Sequence, residues 1–413
     1  MPRHQIINLF EAGILAADPS RGVAQALRTD PVRLSAGGRL FVLAVGKAAA
    51  RMMRAALPLV PAPAKALVVT NYENAAPVSG AEVLAAGHPV PDEAGLAAGQ
   101  AVMRMLAEAG PDDQVLALIS GGGSALLPAP TPPLTLEDKA ALSRLLLGAG
   151  LDIVAMNSVR QHLSELKGGG LLRQAAPAQV RALILSDVIG DDLRAIASGM
   201  TAEPLLSRDA AVALLKTAEL WTKLPPSVRD ALAQPQTQEP LPKVRNQLIG
   251  SNRMSLDAMK AVWPDAVILS DALTGDVAAA AAQIIAHART AGPAPLMALF
   301  GGETTVNLKG TGMGGRNQEL ALRVAMGLDG WPRKWLFLSG GTDGRDGPTD
   351  AAGGLTAPDT LHRIRAAGGD PAALLANNDS YQALDLAGHL LRTNATGTNV
   401  ADLQILLLDA ANT

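Results

Sequence analysis

Residues 115–124 read VLALISGGGS, an uninterrupted apolar run that ends in a serine and three consecutive glycines. The same order of an apolar run followed by Gly, Ser or Asp recurs along the chain, at Leu40–Val45, Ala182–Leu185, Val267–Leu269, Leu296–Phe300 and Trp335–Leu338. Continuous apolar strands separated by helical segments are typical of parallel sheets with helices on both faces. We therefore predict an α/β protein with mainly parallel, doubly wound sheets.

Helix signals stand between these strands. Thr135 followed by Asp138 predicts a capping box, and the apolar residues of 136–148 fall on one helical face. The segment Asp92–Ala109 shows the same pattern, and residues 6–14 predict an amphipathic first helix. These helices supply the layers that parallel strands require.

The chain is long enough for two domains. It has 413 residues, and residues 224–244 concentrate proline, glutamine and charge in the manner of a linker. We predict domains over residues 1–240 and 241–413, each built on its own doubly wound sheet.

Composition narrows the class of function. Hydrophobic residues make up 48%, charged residues 18% and aromatic residues 2%, and the formal net charge is -3. With no basic block and few rings for base stacking, nucleic acid and membrane surfaces are poor partners. The absence of cysteine excludes thiolate chemistry and Cys-based metal sites. No long apolar run or signal-peptide pattern stands in the sequence, so we expect a cytoplasmic protein.

Ligands of open parallel sheets bind outside the carboxyl ends of the strands. The loop Ser120, Gly121, Gly122, Gly123 and Ser124 lies at such an end, and its glycines allow backbone N–H groups to approach an anion. Lys47 follows the first strand directly, where an anion would offset its position at a helix start. The alternatives are an ordinary tight turn and a solvated lysine.

Two further cations are expected on one helix. The segment Asn157–Gly170 is predicted to be helical, which turns Arg160 and Lys167 toward the same side as candidate phosphate- or substrate-binding groups. A solvated basic helix edge is the alternative, and His162 suits a structural role as well as a catalytic one.

Acidic residues gather after two strands. Asp187, Asp191 and Asp192 form one group and Asp343, Asp346 and Asp350 the other; we select Asp187, Asp192 and Asp343 as candidate Mg²⁺ ligands, and Asp187 also as a catalytic residue. The alternative for each is an Asx-turn or a helix cap.

In the second half, Glu303 and Arg316 flank a glycine-rich loop that leads into a helix. Arg316 is expected to neutralise a transferring phosphoryl group and Glu303 to contact substrate or phosphate. An ion pair of Arg316 with Glu303 or Glu319 is the alternative. The sequence has neither a G-x-x-x-x-G-K-[ST] loop nor a strand-bound G-x-G-x-x-G fingerprint, which weighs against a P-loop kinase and a dinucleotide enzyme.

Eight segments in order carry a resemblance to glycerate 2-kinases that join an N-terminal glycerate-kinase domain to a C-terminal MOFRL domain. They are AVGKAAARM (44–52), AGHPVPDE (86–93), LISGGGSALL (118–127), NSVRQHLSELKGGGL (157–171), LSDVIGDDLRAIASGMT (185–201), GGETTVNLKGTGMGGRNQELAL (301–322), GGTDGRDGPTDAAGG (340–354) and TGTNVADLQILLL (396–408). The resemblance runs nearly end to end.

The resemblance implies Mg-ATP-dependent phosphorylation of D-glycerate at its 2-hydroxyl, giving 2-phosphoglycerate and ADP. It implies catalytic roles for Lys47 and Arg316, one from each domain, and therefore an active-site cleft between the domains. D-glycerate and ATP are the expected partners, and a monomer and a homodimer both stay open. Two alternatives stay open: an NAD(P)H-dependent hydroxypyruvate reductase, a name that members of this family often carry, and a non-catalytic protein that binds anions or sugar phosphates.

Overall fold

The computed structural model describes residues 3–234 and 240–411. The chain divides into two compact units. The N-terminal unit comprises Pro19–Ser186 and Asp191–Ile249; the C-terminal unit comprises Met1–Asp18, Asp187–Gly190 and Gly250–Thr413. The sequence-based boundary after residue 240 lies a little before this division, and residues 235–239 of the predicted linker are outside the described part.

Helix α1 (Arg3–Ala16) belongs to the C-terminal unit although it begins the chain. Its buried residues Ile6, Leu9 and Phe10 confirm the predicted amphipathic face. They pack in one apolar cluster with Leu338 and Ile405 of that unit.

The N-terminal unit is built on one sheet. Its strands are β1 (Leu40–Val45), β2 (Lys65–Asn71), β3 (Glu82–Ala86), β4 (Gln114–Ile119), β5 (Gln179–Leu185) and β6 (Val244–Gly250). Their order is β3-β2-β1-β4-β5-β6, and the pairs from β3 through β5 are all parallel. Strand β1 is completely buried, as expected for a strand covered on both faces.

Nine α-helices of this unit lie within the described residues: α2 (Pro19–Thr29), α3 (Ala49–Ala56), α4 (Glu93–Ala107), α5 (Gly123–Leu126), α6 (Leu136–Gly148), α7 (Ile153–Arg160), α8 (Gly170–Ala175), α9 (Arg208–Thr217) and α10 (Pro226–Ala233). The predicted capping box at Thr135 and Asp138 is present at the start of α6. Asp92 caps α4 by accepting a hydrogen bond from the Gly95 N–H.

The C-terminal unit holds a second sheet. Its strands are β7 (Val267–Asp276), β8 (Leu296–Thr305), β9 (Trp335–Gly341), β10 (Gly353–Thr356), β11 (Leu390–Leu391) and β12 (Asp402–Leu408), in the order β11-β10-β9-β12-β8-β7. Strands β7 and β8 are parallel, but β12 lies between β8 and β9 and is antiparallel to both.

The prediction of an α/β class with two sheets is confirmed. The C-terminal sheet is nevertheless mixed, whereas mainly parallel strands were expected. The antiparallel direction of β12 was not predicted because this strand is buried along its whole length. A strand covered on both faces has the same continuous apolar pattern in either direction, so its sequence does not reveal its direction.

The remaining helices are α11 (Asn252–Val262), α12 (Val277–Thr290), α13 (Arg316–Gly327), α14 (Thr360–Ala366), α15 (Pro371–Ala376) and α16 (Ser380–Ala387). Helix α13 packs on β9 and β10 and carries Arg316 at its first position. Among the described helices, none combines the length and the apolar character that a membrane crossing demands.

Candidate functional site

The N-terminal sheet has a topological switch point between β1 and β4. From β1 the chain continues to β2 and β3 on one side, and it later returns to place β4 on the other side of β1. The loops after β1 and β4 therefore diverge at the carboxyl edge and leave a crevice where ligands of such sheets bind. Lys47 and the loop Ser120–Ser124 both lie at this edge, as predicted.

Hydrogen bonds join these two loops. The Lys47 N–H donates to the Gly121 carbonyl at 2.9 Å, and the Ala48 N–H donates to the Ser120 hydroxyl at 3.1 Å. The Ser120 hydroxyl donates in turn to the Val45 carbonyl at 3.3 Å, and the residue is buried. Ser120, a predicted ligand-binding residue, thus holds the neighbouring loop in place.

Lys47 is exposed and lies next to Gly122. A Cβ atom added to Gly122 would lie 3.2 Å from Cγ of Lys47 and 3.1 Å from Cδ2 of His88, so both side chains pack over this glycine. Gly122 also has a φ of 86°, which favours glycine. Burial lowers the pKa of His88, and the charge of Lys47 lowers it further. A neutral imidazole beside an exposed ammonium is suited to contact an anionic ligand.

Ser124 links two buried residues. Its hydroxyl lies 2.7 Å from the Ser198 hydroxyl and 3.0 Å from Nζ of Lys167. Ser198 is 1% exposed and Lys167 is 2% exposed, whereas Ser124 is half-buried. Ser124 is therefore the member of this group that a ligand can reach.

Lys139, Arg160 and Lys167 form a cluster of cations. Burial lowers the pKa of Lys139 to about 7, and the charge of Arg160 contributes. Burial, followed by the charges of Lys139 and Arg160, lowers the pKa of Lys167 well below its usual range. Within residues 3–234 and 240–411, no carboxylate forms a salt bridge with any of the three, and Nε of Arg160 is buried without a hydrogen-bond partner. Such a cluster favours an anion.

The predicted helix over Asn157–Gly170 is wrong. Helix α7 ends at Arg160, a 3-10 turn spans Gln161–Leu163, and Ser164 is extended. The run Lys167–Gly169 then turns back, and its Gly168 and Gly169 N–H groups donate to the Ser198 and Gly199 carbonyls. Arg160 and Lys167 are still close enough for the charge of Arg160 to lower the pKa of Lys167. The reversal of the chain brings them together, and not the spacing of a continuous helix. Nε2 of His162 donates a hydrogen bond to the Leu206 carbonyl at 2.9 Å.

In the C-terminal unit, Arg316 contacts two carboxylates. Its Nε and Nη2 atoms donate to the two oxygens of Asp402 at 2.7 and 3.0 Å, and Nη1 donates to Glu303 at 2.6 Å. Burial acts most strongly on Arg316 and favours its neutral form, but the charges of Asp402 and Glu303 outweigh burial and raise its pKa. The expected alternative of an ion pair with Glu303 is present, so Glu303 orients Arg316.

A cavity of about 560 Å³ opens beside this arginine. Arg316, Arg345 and Asp343 are among the residues that line it, together with the glycine-rich loop before α13. Its size lies in the usual range for small-molecule sites. Asp346 also lines it but caps α13, accepting from the Asn317 and Gln318 N–H groups at 3.1 and 2.7 Å. Burial raises the pKa of Asp346 to about 7.

The acidic groups are more dispersed than their spacing suggested. Asp192 forms a bidentate pair with Arg194, and Asp343 accepts from the Arg345 N–H at 2.9 Å in an Asx-turn. Asp350 contacts Tyr381 and Arg392. Asp187 belongs to the C-terminal unit, whereas Asp192 belongs to the N-terminal unit. In the described part of the chain, His, Asp and Glu residues form no group of three suited to a metal ion.

Four residues of these sites were not predicted: His88, Lys139, Ser198 and Asp402. His88, Ser198 and Asp402 stand inside segments that carry the family resemblance, and that was the available signal. Lys139 follows a capping box and looks like a solvated helix residue. Asp402 lies 86 positions from Arg316, so no local spacing joins them.

Comparison with protein families extends these observations. A family model described as "Domain of unknown function (DUF4147)" matches residues 5–233, and one described as "MOFRL family" matches residues 296–402. The chain belongs to the DUF4147 family. As a DUF4147 protein with a following MOFRL domain, it carries Lys47 and the cation cluster in the first matched region and Arg316 in the second.

Relatives in this family carry two kinds of name. A Thermotoga maritima protein named D-glycerate 2-kinase is 39% identical over 97% of this chain and 97% of its own length. An Agrobacterium vitis protein that carries the provisional name hydroxypyruvate reductase is 42% identical over 98% of this chain and 94% of its own. The crystal structure of a Thermotoga maritima glycerate kinase matches with a TM-score of 0.89 at 39% identity, covering 98% of each chain.

Proposed function

We propose that this DUF4147 protein is a glycerate 2-kinase, a phosphotransferase with an alcohol group as acceptor. It transfers the γ-phosphoryl group of ATP to the 2-hydroxyl of D-glycerate and gives 2-phosphoglycerate and ADP. The names of the Thermotoga maritima relative and of the matching structure support the reaction. Within this chain, the observation that carries it is the cluster of Lys139, Arg160 and Lys167, which has no salt-bridged carboxylate among the described residues.

The N-terminal unit supplies the anion site. Arg160 and Lys167 attract the carboxylate of glycerate or a phosphate, because an opposite charge relieves the repulsion among the three cations, of which Lys139 and Lys167 are buried. The backbone of Gly121–Gly123 and the hydroxyl of Ser124 complete the loop that receives the anion. Lys47, exposed at the same edge, contacts the transferring phosphoryl group.

Arg316 is the candidate cation of the C-terminal unit. Its side chain is 33% exposed even though two carboxylates hold it, so one edge stays available for a phosphoryl oxygen. Glu303 and Asp402 fix its orientation before the substrate arrives, which avoids reorganisation during the reaction. We therefore assign Glu303 to positioning Arg316 and not to direct substrate contact.

Mg²⁺ is expected with ATP, where it neutralises charge on the phosphates. Magnesium sites in such enzymes use one or two carboxylates together with waters and substrate phosphates, so the absence of a three-residue group in the described residues is compatible with it. Asp343 lines the C-terminal cavity and fits as one ligand, with Asp187 as a second candidate. Asp192 fits less well because Arg194 occupies both of its oxygens. Asp187 remains a candidate for orienting or deprotonating the 2-hydroxyl.

A hydroxypyruvate reductase is the second candidate, favoured by the provisional name of the Agrobacterium vitis relative. It requires a nicotinamide site, for which the sequence lacks the strand-bound glycine fingerprint. A cytoplasmic location and a monomeric or homodimeric state remain predictions.

The test is to incubate the protein with D-glycerate, ATP and Mg²⁺, follow ADP release, and identify the phosphoglycerate isomer by NMR. Hydroxypyruvate with NADH or NADPH is offered in parallel. We expect ADP and 2-phosphoglycerate in the first reaction and no nicotinamide oxidation in the second. Nicotinamide oxidation without ADP release would establish the reductase instead.

Lys47→Ala distinguishes a kinase from a non-catalytic anion-binding protein. The kinase should lose about 100-fold or more in kcat while still binding glycerate, since Lys47 acts on the transferring group. Lys65→Ala is the matched control, because Lys65 is an exposed lysine that forms a surface salt bridge with Glu108. Equal losses of activity in both variants would count against a specific role for Lys47.

A further inference from the structure

Ser198, Ser124 and Lys167 form a chain of three polar groups in the N-terminal unit. The two hydroxyl oxygens are 2.7 Å apart, and Nζ of Lys167 is 3.0 Å from the Ser124 oxygen. Ser124 follows directly on the glycines of the loop after β4, at the carboxyl edge where a substrate is expected. The other two residues are buried behind it.

The chain has the direction that a proton relay needs. Ser124 is half-buried, whereas Ser198 and Lys167 are only 1% and 2% exposed, so Ser124 is the most accessible member of the chain. Ser198 donates a hydrogen bond to the Ser124 oxygen when Ser124 donates its own proton to the amine. This arrangement stabilises negative charge on Ser124 as its proton leaves.

Lys167 is placed to accept a proton. Its amine forms a hydrogen bond with the Ser124 hydroxyl, and the charged groups that act on it are Lys139 and Arg160, both cations. Burial and these two charges lower its pKa well below the ordinary range of lysine. Lys139, by contrast, donates to the Pro128 and Leu163 carbonyls at 2.6 and 3.3 Å and so serves the backbone.

We propose that Ser124 removes the proton from the substrate hydroxyl and passes its own proton to Lys167. The O–H bond of the 2-hydroxyl breaks and its proton moves to the Ser124 oxygen, while the Ser124 proton moves to the neutral Lys167 amine. The substrate oxygen bonds to the γ-phosphorus, and the bond to the bridging oxygen breaks with its electron pair on ADP. Lys167 returns the proton to solvent through Ser124 after product release.

This inference rests on the proposed kinase function and changes the roles of Ser124, Lys167 and Asp187 within it, with Lys167 as a proton acceptor in place of an anion-attracting cation. Ser124 becomes the catalytic residue that touches the substrate, and Lys167 and Ser198 become positioning residues that act through Ser124. Asp187 is then left with orienting the hydroxyl. The carboxylate of the substrate falls to Arg160, whose guanidinium cannot release its proton.

The protonation of Lys167 is measured without reference to activity. Lysine labelled with ¹³C at Cε is incorporated, the Lys167 signal is identified as the one absent from Lys167→Met, and it is followed from about pH 6 to about pH 9. We expect this signal to titrate well below the ordinary lysine range. A signal that stays that of an ammonium throughout would overturn the proposal even if the protein proves to be a kinase.

Kinetics then test the relay. Ser124→Ala and Lys167→Met should each lower kcat by about 100-fold or more with KM for glycerate within about threefold, as for loss of a general base. We expect kcat of the wild type to fall on the acidic side of its pH profile, and both variants should lose this fall. Ser124→Thr keeps a hydroxyl and is the matched control, expected to retain most of the activity.

The possible failures are distinguishable. If wild-type protein releases no ADP with glycerate, the proposed function fails, whereas the NMR titration still reports on Lys167. If Lys167→Met does not fold, the Ser124→Ala and Ser124→Thr pair decides alone. Equal activity of these two variants, or a Ser124→Ala profile with an unchanged acidic limb, would overturn the relay.

Discussion

Arg316, the proposed catalytic cation of the C-terminal unit, is held by two carboxylates. Asp402 is fully buried and accepts hydrogen bonds from two nitrogens of the guanidinium, Nε and Nη2. Glu303 is about half exposed and accepts a hydrogen bond from the third nitrogen, Nη1. Burial raises the pKa of Asp402, and the charge of Arg316 opposes this effect. The two hydrogen bonds to the guanidinium thus offset part of the desolvation cost of burying the carboxylate. Orientation of Arg316 therefore depends more on Asp402 than on Glu303.

Asp402→Asn is predicted to disorder Arg316. An amide cannot accept both guanidinium hydrogen bonds, and a misplaced catalytic group costs about 100-fold in rate. We expect kcat for ADP release to fall by about this factor, with KM for glycerate little changed. Because Arg316 is 33% exposed, the loss in unfolding free energy should be about 1–3 kcal/mol, below the full cost of breaking a buried pair. Urea unfolding measures it.

Glu303→Gln is the matched control for this prediction. Its side chain is 47% exposed, so the ion pair with Arg316 is screened by solvent and contributes little to stability. We expect a smaller fall in kcat than for Asp402→Asn and no measurable loss of stability. A larger effect at Glu303 than at Asp402 would contradict the assignment of Asp402 as the main anchor.

Lys139 makes stability depend on pH. Its pKa is about 7 in the folded protein against 10.5 as the reference, so the unfolded chain binds the proton more tightly. The cost of burying Lys139 is complete below about pH 7 and disappears as pH rises toward the reference value. Lys139→Met removes this cost. The gain in unfolding free energy of the variant over wild type should therefore be about 2–3 kcal/mol larger at about pH 6 than at about pH 9.

The measurement is urea unfolding of Lys139→Met and wild type across this range, without ligand. The unfolding free energy of Lys139→Met should exceed that of wild type by the largest amount at the acidic end of this range. Lys65→Met is the control, since Lys65 is exposed and its substitution removes no buried amine. A difference for Lys139→Met that grows with rising pH would show that the amine is not a destabilising charge.

Residue types in the sequence predicted part of these sites. Lys47, Ser124 and Arg316 follow strands or open helices, and that position alone marks them as candidates. Asp402 and Lys139 were not predicted, because their roles depend on residues that are distant in sequence. The partner of Asp402, Arg316, lies 86 positions away. Only the fold brings such pairs together.

At the scale of elements, the loop between β1 and α3 depends on a single glycine. Gly46 has a φ of 118°, and a Cβ atom there would lie 2.2 Å from the Ser120 hydroxyl. Gly46→Ala should cost about 2–5 kcal/mol from backbone strain and overlap together. It should also reduce kcat, because Lys47 moves with the loop. Thermal unfolding and ADP release measure the two effects.

Gly148→Ala is the control for that substitution. Gly148 is the last residue of α6, and a Cβ atom there meets no atom within 4 Å. Alanine in a helix is favoured over glycine by about 0.5–1 kcal/mol, so this variant should be slightly more stable and fully active. If Gly46→Ala behaves like Gly148→Ala, the loop tolerates a side chain and the close approach to Ser120 is not required.

Elements were predicted well where local signals specify them. The capping box of α6 and the apolar run of β1 needed no knowledge of distant residues. The segment Asn157–Gly170 was predicted wrongly because its apolar spacing fits a helix, while hydrogen bonds to Ser198 and Gly199 turn the glycines instead. The direction of β12 could not be predicted either, since a fully buried strand has the same continuous apolar pattern whether it is parallel or antiparallel to its neighbours.

For the whole molecule, the order of residues along the chain does not follow the division into units. Helix α1 begins the chain but packs against α11 and β12 of the C-terminal unit. A sequence-based division into two successive segments could not anticipate this, because the periodicity of α1 shows that one face is buried but not where. The helix is the part of the chain in which sequence and tertiary organisation differ most.

Phe10→Ala tests this membership. Phe10 is fully buried, and its ring lies against Gly340 of β9. Truncating such a side chain costs about 3–5 kcal/mol through lost burial and the cavity left behind. The loss should fall on the C-terminal unit, so hydrogen exchange is expected to accelerate in β9 and β12 and to stay slow in β1 and β4. Leu15→Ala on the same helix, with Leu15 51% exposed, should change neither. Acceleration in β1 and β4 equal to that in β9 would mean that α1 supports both units alike, and the assignment of this helix to the C-terminal unit would have to be abandoned.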